Sequence, residues 1–259
     1  MQSVLGIDAA WTTTQPSGVA LVAADGDSWR LLAVGSSYGA FYRRAGLADA
    51  ADAFDATRLL AAAAALTGHP ITLVAADIPL AYQPINARRA SDNAVSRLYG
   101  ARHASTHTPS VTRPGALADR MTADFAAAGY PLRTAAPVDF GLIEVYPHPA
   151  LIELAAAPRR LPYKIGKTAK YWPGLPLADR RANLLAQWRI IVALLDARIA
   201  GVAAALPLPS PDASGRQLKA WEDALDAVVC AWVGMTALTG RALPLGDHHS
   251  AIWVPASPS

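Results

Sequence analysis

Four aspartates have positions in the sequence that suit a shared acidic site. Asp8 ends the apolar run SVLGID, and Asp77 ends the apolar run ITLVAAD. Asp223 and Asp226 lie three residues apart in a helical pattern, which places both on one face of a helix. Each acid also has an ordinary structural explanation. An acid at a strand end often caps the next turn or helix, and helical acids often form a solvated face.

The predicted strands place Asp8 and Asp77 at equivalent positions. Three short apolar runs, SVLGIDA, SGVALVAA and WRLLAVGSSY, are separated by turn-like segments and predict an antiparallel meander. The continuous apolarity of ITLVAADIPL predicts a central strand that is covered on both faces. Both aspartates then lie at carboxyl ends of strands, where open α/β sheets commonly build their sites.

Helical patterns fill most of the remaining chain. They extend over about Leu47–Leu66, Ala116–Ala128, Leu177–Ala205 and Arg216–Thr239. A further strand is predicted in FGLIEVYPHP, and the tail SAIWVPASPS adds a short extended piece. Antiparallel strands followed by helix-linked strands predict an α/β protein with a mixed sheet and helices on its faces.

Four motifs follow one another along the chain: GIDAAW, AADIPL, EVYPHPALI and EDALDAVVCAWVG. Together they resemble an uncharacterised family of predicted nucleases with an RNase H-like fold, from about Val4 to Pro255. The resemblance implies a single RNase H-like domain over 1–259, with a mixed five-stranded sheet flanked by helices. It also implies helical or loop insertions at about 81–130 and 156–210.

The resemblance also gives the acids a common role. In RNase H-like nucleases the first strand supplies one carboxylate, the fourth strand another, and the last helix one or two more. Carried onto this sequence, that pattern implies Asp8, Asp77 and Asp226 with Asp223, and it adds Glu144 from the later strand motif. Of the two helical acids, Asp226 is the stronger candidate for the site because it borders the apolar run AVVCAWV. For Glu144, an arginine partner is an equally good explanation.

Clustered carboxylates repel one another unless a proton or a cation neutralises them. Mg²⁺ and Mn²⁺ prefer oxygen ligands, and two such ions roughly 4 Å apart can activate water and stabilise the leaving oxygen of a phosphodiester. We therefore predict Asp8, Asp77 and Asp226 as metal ligands. The predicted catalytic set comprises Asp8, Asp77, Glu144, Asp223 and Asp226. The sequence leaves open whether one ion or two are bound.

A basic and aromatic segment, PRRLPYKIGKTAKYWPG, lies between the last predicted strand and the long helix. It contains Arg159 and three of the four lysines, namely Lys164, Lys167 and Lys170. Cations attract phosphates and aromatic faces stack on bases, so these four side chains are predicted to contact a nucleic acid or nucleotide. A solvated basic loop is the alternative.

A second basic segment extends from Arg88 to Arg113. We interpret it as a flap over the site, and we interpret His103 and His107 within it as incidental loop residues.

Composition narrows the class of protein. Hydrophobic residues make up 53% of the chain and charged residues 17%, which predicts a packed core, and the formal net charge is +3. The single cysteine, Cys230, excludes an intrachain disulfide and argues against a cysteine zinc site. No leader pattern and no apolar stretch of about 20 residues is visible, so we expect a cytoplasmic protein without a membrane partner.

We therefore expect a metal-dependent nuclease or phosphodiesterase that acts on nucleic acid. The first alternative is a nucleotide-binding or phosphotransfer protein of the same superfold, because GIDAAWTTT faintly resembles the first phosphate loop of sugar-kinase and actin relatives. Against it, Ile78 and Pro79 follow Asp77 where those proteins have glycines. The second alternative is a non-catalytic binding module. The oligomeric state stays open, with a homodimer as one option.

Overall fold

Seven strands form one mixed sheet in the computed structural model, which describes residues 1–12, 14–47 and 51–256. The strands are β1 (Ser3–Asp8), β2 (Gly18–Asp25), β3 (Ser28–Gly35), β4 (Leu73–Asp77), β5 (Gly141–Val145), β6 (Ala242–Gly246) and β7 (Ala251–Pro255). Their order across the sheet is β3-β2-β1-β4-β5-β7-β6. Helices flank the sheet, so the predicted α/β class is confirmed.

The first three strands pair antiparallel and form the predicted meander. β1, β4 and β5 are parallel neighbours at the centre. Every residue of β4 before Asp77 is buried, which explains why its sequence is continuously apolar.

The predicted count of five strands is wrong, because β6 and β7 extend the sheet to seven. β7 corresponds to the extended piece predicted in the tail, of which residues 257–259 lie outside the described part. β6 pairs antiparallel with β7 and forms the outer edge. Its sequence ALPLG is partly exposed and contains Pro244, which an edge strand tolerates but which hides the strand pattern.

Besides one 3-10 helix (Ile165–Lys167), nine α-helices are present in the described residues. They are α1 (Tyr38–Arg44), α2 (Ala56–Thr67), α3 (Ala90–Tyr99), α4 (Ala116–Ala127), α5 (Pro147–Leu154), α6 (Thr168–Tyr171), α7 (Leu177–Asp196), α8 (Val202–Ala205) and α9 (Gly215–Leu238). Of the predicted insertions, the first contains α3 and α4, and the second contains α6, α7 and α8. No helix in the described ranges has the length and apolarity needed to cross a membrane.

Two predicted helices differ from the observed ones. The helix predicted from Leu47 begins only at Ala56, where the Asp55 side chain caps it by accepting the Arg58 N–H; positions 48–50 of the predicted range lie outside the described residues. The helix predicted over Leu177–Ala205 is divided. The chain leaves the helical conformation after Asp196 and pairs with β3, where Ala200 exchanges backbone hydrogen bonds with Trp29 and Leu31.

Helix α9 packs directly on the face of β1, β2 and β4. A Cβ on Gly6 would lie 2.2 Å from the carbonyl oxygen of Ala227, and one on Gly18 would lie 2.0 Å from that of Asp223. The two strand glycines therefore let the helix backbone approach the sheet, as glycine does where two backbones meet closely. This contact sets the acidic part of α9 above the start of β2 and the middle of β1.

Candidate metal centre and adjoining basic cleft

Asp8 and Asp77 end neighbouring parallel strands and are direct register partners. Neighbouring strands lie about 4.8 Å apart, and partner side chains project on the same face. Val4 and Gly6 of β1 contact α9, so the two-residue alternation also turns Asp8 towards that helix. The sheet therefore places the two carboxylates side by side beneath α9.

The side chains of Asp8, Asp77 and Asp223 line one cleft, which has a volume of about 470 Å³. Trp11 and Lys219 also line it. Asp226 lies one turn further along α9 and is completely buried, so it stands behind this cleft and does not line it. Three of the five predicted site acids thus share one opening, and Asp226 lies in the protein interior next to them.

Burial raises the pKa of Asp8 well above its ordinary value, and the charges of Asp226, Asp77 and Asp223 raise it further, although Lys164 opposes them. Burial likewise raises the pKa of Asp77 to about 8, with Lys164 again opposing. Within the described part of the chain, neither carboxylate accepts a hydrogen bond or forms an ion pair. Two adjacent carboxylates of this kind favour a proton or a bound cation.

Lys164 neutralises Asp226. Its ammonium group forms an ion pair with Asp226 Oδ2 and lies 3.5 Å from Glu222 Oε1. Tyr163 Oη donates to the other Asp226 oxygen at 2.8 Å. Burial opposes the charged form of Lys164, yet Asp226 and its neighbours hold the pKa of Lys164 well above its ordinary value. Lys164, predicted as a phosphate contact, therefore has its charge directed into the acidic cluster.

Lys219 and Glu222 belong to the site although the sequence patterns did not single them out. Lys219 forms an ion pair with Asp223 and lies 3.2 Å from Glu222 Oε1, and 49% of its side chain is exposed. Glu222 also accepts the Ile165 N–H at 2.6 Å, which ties the lysine segment to α9. The signal for Lys219 was its spacing of four residues before Asp223, which places both on one helix face.

Glu144 has an arginine partner. Arg89 donates from Nη1 and Nη2 to the two Glu144 oxygens at 2.6 and 2.7 Å. The Leu80 N–H adds a bond of 2.8 Å, and Arg89 in turn donates to the Leu80 carbonyl. Burial raises the pKa of Glu144 to about 7 even though Arg89 opposes the shift. The pair fixes the segment that follows Asp77.

A divalent cation such as Mg²⁺ needs oxygen ligands at this site. In the described ranges, no group of three or more histidine, cysteine or acidic side chains is arranged to hold a metal ion. However, Mg²⁺ is commonly bound through one or two carboxylates together with waters and substrate phosphates. Asp8 and Asp77 supply two carboxylates that have no partner among the described residues and are open to a cleft, which fits that mode of binding. Asp223 lines the same cleft but is paired with Lys219.

A second cleft, of about 590 Å³, adjoins the first. Arg159, Lys167 and Lys170, three of the four predicted substrate contacts, line it, whereas Lys164 does not. Its other lining residues are His103, His107, Arg160, Pro162, Tyr171 and Trp172, so no acid from the described part of the chain contributes to its wall. His107, interpreted from sequence as incidental, lines both clefts and therefore marks where they meet.

Fold and site together define an α/β protein with paired carboxylates at the ends of its central strands and a cationic cleft beside them. The chain belongs to the family described as Protein of unknown function (DUF429), which it matches over residues 6–251. Membership of an uncharacterised family is thus confirmed, and the match carries no reaction with it. No curated protein and no solved structure matched the chain.

Proposed function

We propose that this protein is a divalent-metal-dependent phosphodiesterase of RNase H-like fold that cleaves nucleic acid. The observation that carries the proposal is the pair Asp8 and Asp77. These carboxylates end adjacent parallel strands, have no protein partner among the described residues and face a cleft that joins a cationic one.

The positions of the acids support the RNase H-like assignment. Asp8 ends the first strand, Asp77 ends the fourth, and Asp223 and Asp226 lie on the last helix. This is the distribution that the sequence resemblance implies for such nucleases.

Each part of the site has a distinct task in the proposed reaction. Asp8 and Asp77 would hold Mg²⁺ or Mn²⁺, and such an ion would supply Lewis-acid chemistry for phosphodiester hydrolysis. Asp223 and its partner Lys219 stand at the open side, where the ammonium group can meet a phosphate oxygen. Asp226 acts through Lys164, which keeps the cluster from accumulating negative charge. Glu144 acts through Arg89 by fixing the segment after Asp77.

The test is cleavage of labelled single-stranded DNA, RNA, duplex and hybrid substrates with Mn²⁺, Mg²⁺ or a chelator. We expect metal-dependent cleavage that Asp8→Asn reduces by at least about 100-fold, since an ion held by two carboxylates loses one of its charged ligands. Asp179→Asn, which removes an exposed carboxylate from α7, is the matched control and should retain full activity. A folded Asp8→Asn protein with unchanged cleavage would falsify the ligand role.

A second candidate function, nucleotide binding or phosphotransfer, has one observation in its favour. Thr12 and Thr14 follow β1 and line a further cleft of about 360 Å³; Thr13 lies outside the described residues. Calorimetry with ATP and Mg²⁺ separates the two functions. Tight ATP binding without nuclease activity favours phosphotransfer, whereas oligonucleotide binding without turnover under any metal favours a binding module.

A further inference from the structure

The basic cleft contains more positive charge than the protein itself compensates. Arg159, Arg160, Lys167 and Lys170 line it, and none of the four forms an ion pair within the described ranges. This contrasts with Lys164 and Lys219, which both pair with acids of α9. Unpaired cations that converge on one concave surface attract a polyanion.

Two side chains that line this cleft, Arg160 and Tyr171, each have a buried polar atom, Nε and Oη, without a hydrogen-bond partner among the described residues. A buried donor without a partner costs free energy, and such atoms are rare in native proteins. Either side chain would gain a partner by turning towards an acceptor atom in the cleft.

The cleft also offers aromatic surface. Tyr171 and Trp172 meet edge to face, with ring centroids 5.7 Å apart, and both line the cleft. Aromatic rings in a cationic groove are the usual platform for unpaired bases. A volume of about 590 Å³ suits a ligand of the size of one nucleotide.

The basic cleft continues into the acidic one at His107. On the acidic side, Trp11 meets the His107 ring edge-on at 6.5 Å, and the Arg113 guanidinium lies 5.8 Å from the centre of the Trp11 ring. A ligand strand can therefore pass from cations and aromatic rings to Asp8 and Asp77 without leaving a charged surface.

We propose that the basic cleft seats one unpaired nucleotide of a single strand, next to the phosphodiester held at Asp8 and Asp77. The cations contact the phosphate, and Trp172 and Tyr171 contact the base. A base inside a duplex has both faces stacked and cannot reach these rings, so the cleft selects single-stranded nucleic acid. This inference rests on the proposed function for the identity of the neighbouring site.

The test measures binding alone, so that it can fail independently of cleavage. A fluorescent single strand of about ten nucleotides is titrated with the full chain in chelator, and anisotropy reports binding. An unlabelled duplex of the same sequence and a mononucleotide serve as competitors. We expect the single strand to bind most tightly, the duplex to compete poorly and the mononucleotide to compete only at far higher concentration.

Two variants connect binding to the cleft. Lys167→Gln/Lys170→Gln should weaken binding and lower the slope of log affinity against log salt by about 1.4, because each single-strand phosphate contact contributes about 0.7. Trp172→Ala should weaken binding about 5- to 150-fold through lost stacking. The control Arg44→Gln/Arg189→Gln also removes two exposed cations but lies outside the clefts, and it should bind normally.

Unchanged binding by the lysine double variant would overturn the proposal, as would a duplex or a mononucleotide that competes as well as the strand. Normal single-strand binding that depends on the cleft, without cleavage under any metal, would uphold this site and overturn the proposed hydrolysis.

Discussion

Lys164 supplies a positive charge beside a cluster of acids that would otherwise repel one another. It contacts Asp226 and Glu222, and it opposes the rise in the pKa of both Asp8 and Asp77. Asp226 is completely buried, so without Lys164 its charge would have Tyr163 as its one side-chain partner among the described residues. A buried charge left in that state strongly destabilises a fold.

Lys164→Met should therefore lower the free energy of unfolding by about 3–5 kcal/mol, as removal of one member of a buried ion pair does. Lys164→Met/Asp226→Asn should recover most of the loss. Urea denaturation measures both, with Lys170→Met as the control, because that ammonium is exposed and forms no ion pair with any residue that the structure describes. A Lys164→Met protein as stable as the parent would contradict the role of the lysine as a countercharge.

The partners of Glu144 indicate that it positions the segment after Asp77 and does not bind the metal ion. Glu144→Gln should lower the free energy of unfolding by about 3 kcal/mol, since it breaks the bidentate pair with buried Arg89. Its Mn²⁺ affinity by calorimetry should stay near that of the parent, whereas Asp77→Asn should lose at least about tenfold. Equal loss of Mn²⁺ affinity in the two variants would show Glu144 to be a ligand.

At the scale of elements, the site depends on how closely α9 approaches the sheet. Gly6 faces the carbonyl oxygen of Ala227, one residue after Asp226, and Gly18 faces that of Asp223. A side chain in place of either glycine would displace α9, the helix that contains Asp223 and Asp226.

Gly6→Ala should lower the free energy of unfolding by about 1–3 kcal/mol through overpacking, and it should also weaken Mn²⁺ binding. Gly215→Ala is the control, because that glycine begins the same helix and a Cβ there meets no atom within 4 Å. Denaturation and calorimetry on both variants provide the measurement. If Gly6→Ala binds Mn²⁺ as the parent does, the position of α9 does not set the metal site.

Local patterns predicted most of these elements. β1 to β4, α4 and α9 follow from apolar runs and their end signals, and the strand-end positions of Asp8 and Asp77 came with them. β6 was missed because an edge strand with a proline lacks the alternation that marks a half-buried strand. The break between α7 and α8 was missed because it depends on pairing with β3, far away in sequence.

The ion pairs of the site could not be predicted either, because they also join residues that are far apart in the sequence. The pairs Lys164–Asp226 and Arg89–Glu144 join residues 62 and 55 positions apart, and no local spacing encodes them. The sequence therefore indicated that Asp8, Asp77 and Asp223 lie together, but not that Asp226 is paired with a lysine while Asp8 and Asp77 have no partner among the described residues.

For the whole molecule, the raised pKa values of Asp8 and Asp77 predict how stability depends on pH. Each group binds its proton more tightly in the folded state. Its contribution is fully present below the unfolded pKa of about 4 and is lost as pH rises through the folded pKa, about 8 for Asp77. A cation bound to the ionised pair should replace the lost proton.

Mn²⁺ should accordingly raise the melting temperature strongly near about pH 8 and little near about pH 5, where protons compete for the same oxygens. Differential scanning fluorimetry with and without Mn²⁺ measures the effect, and Asp8→Asn/Asp77→Asn is the control in which it should vanish. His148, whose pKa burial lowers, acts in the opposite direction but contributes equally with and without metal. An equal rise in melting temperature at both pH values would show that Mn²⁺ does not bind the ionised carboxylates of Asp8 and Asp77.

A crystal structure soaked in Mn²⁺ would show whether Asp8 and Asp77 share one divalent ion. We expect an anomalous peak roughly 2 Å from a carboxylate oxygen of each residue, at the floor of the cleft beside Asp223. A peak bound elsewhere, or Asp8 and Asp77 carboxylates separated by more than about 8 Å, would contradict it, because ligands at about 2 Å could not then reach the same ion.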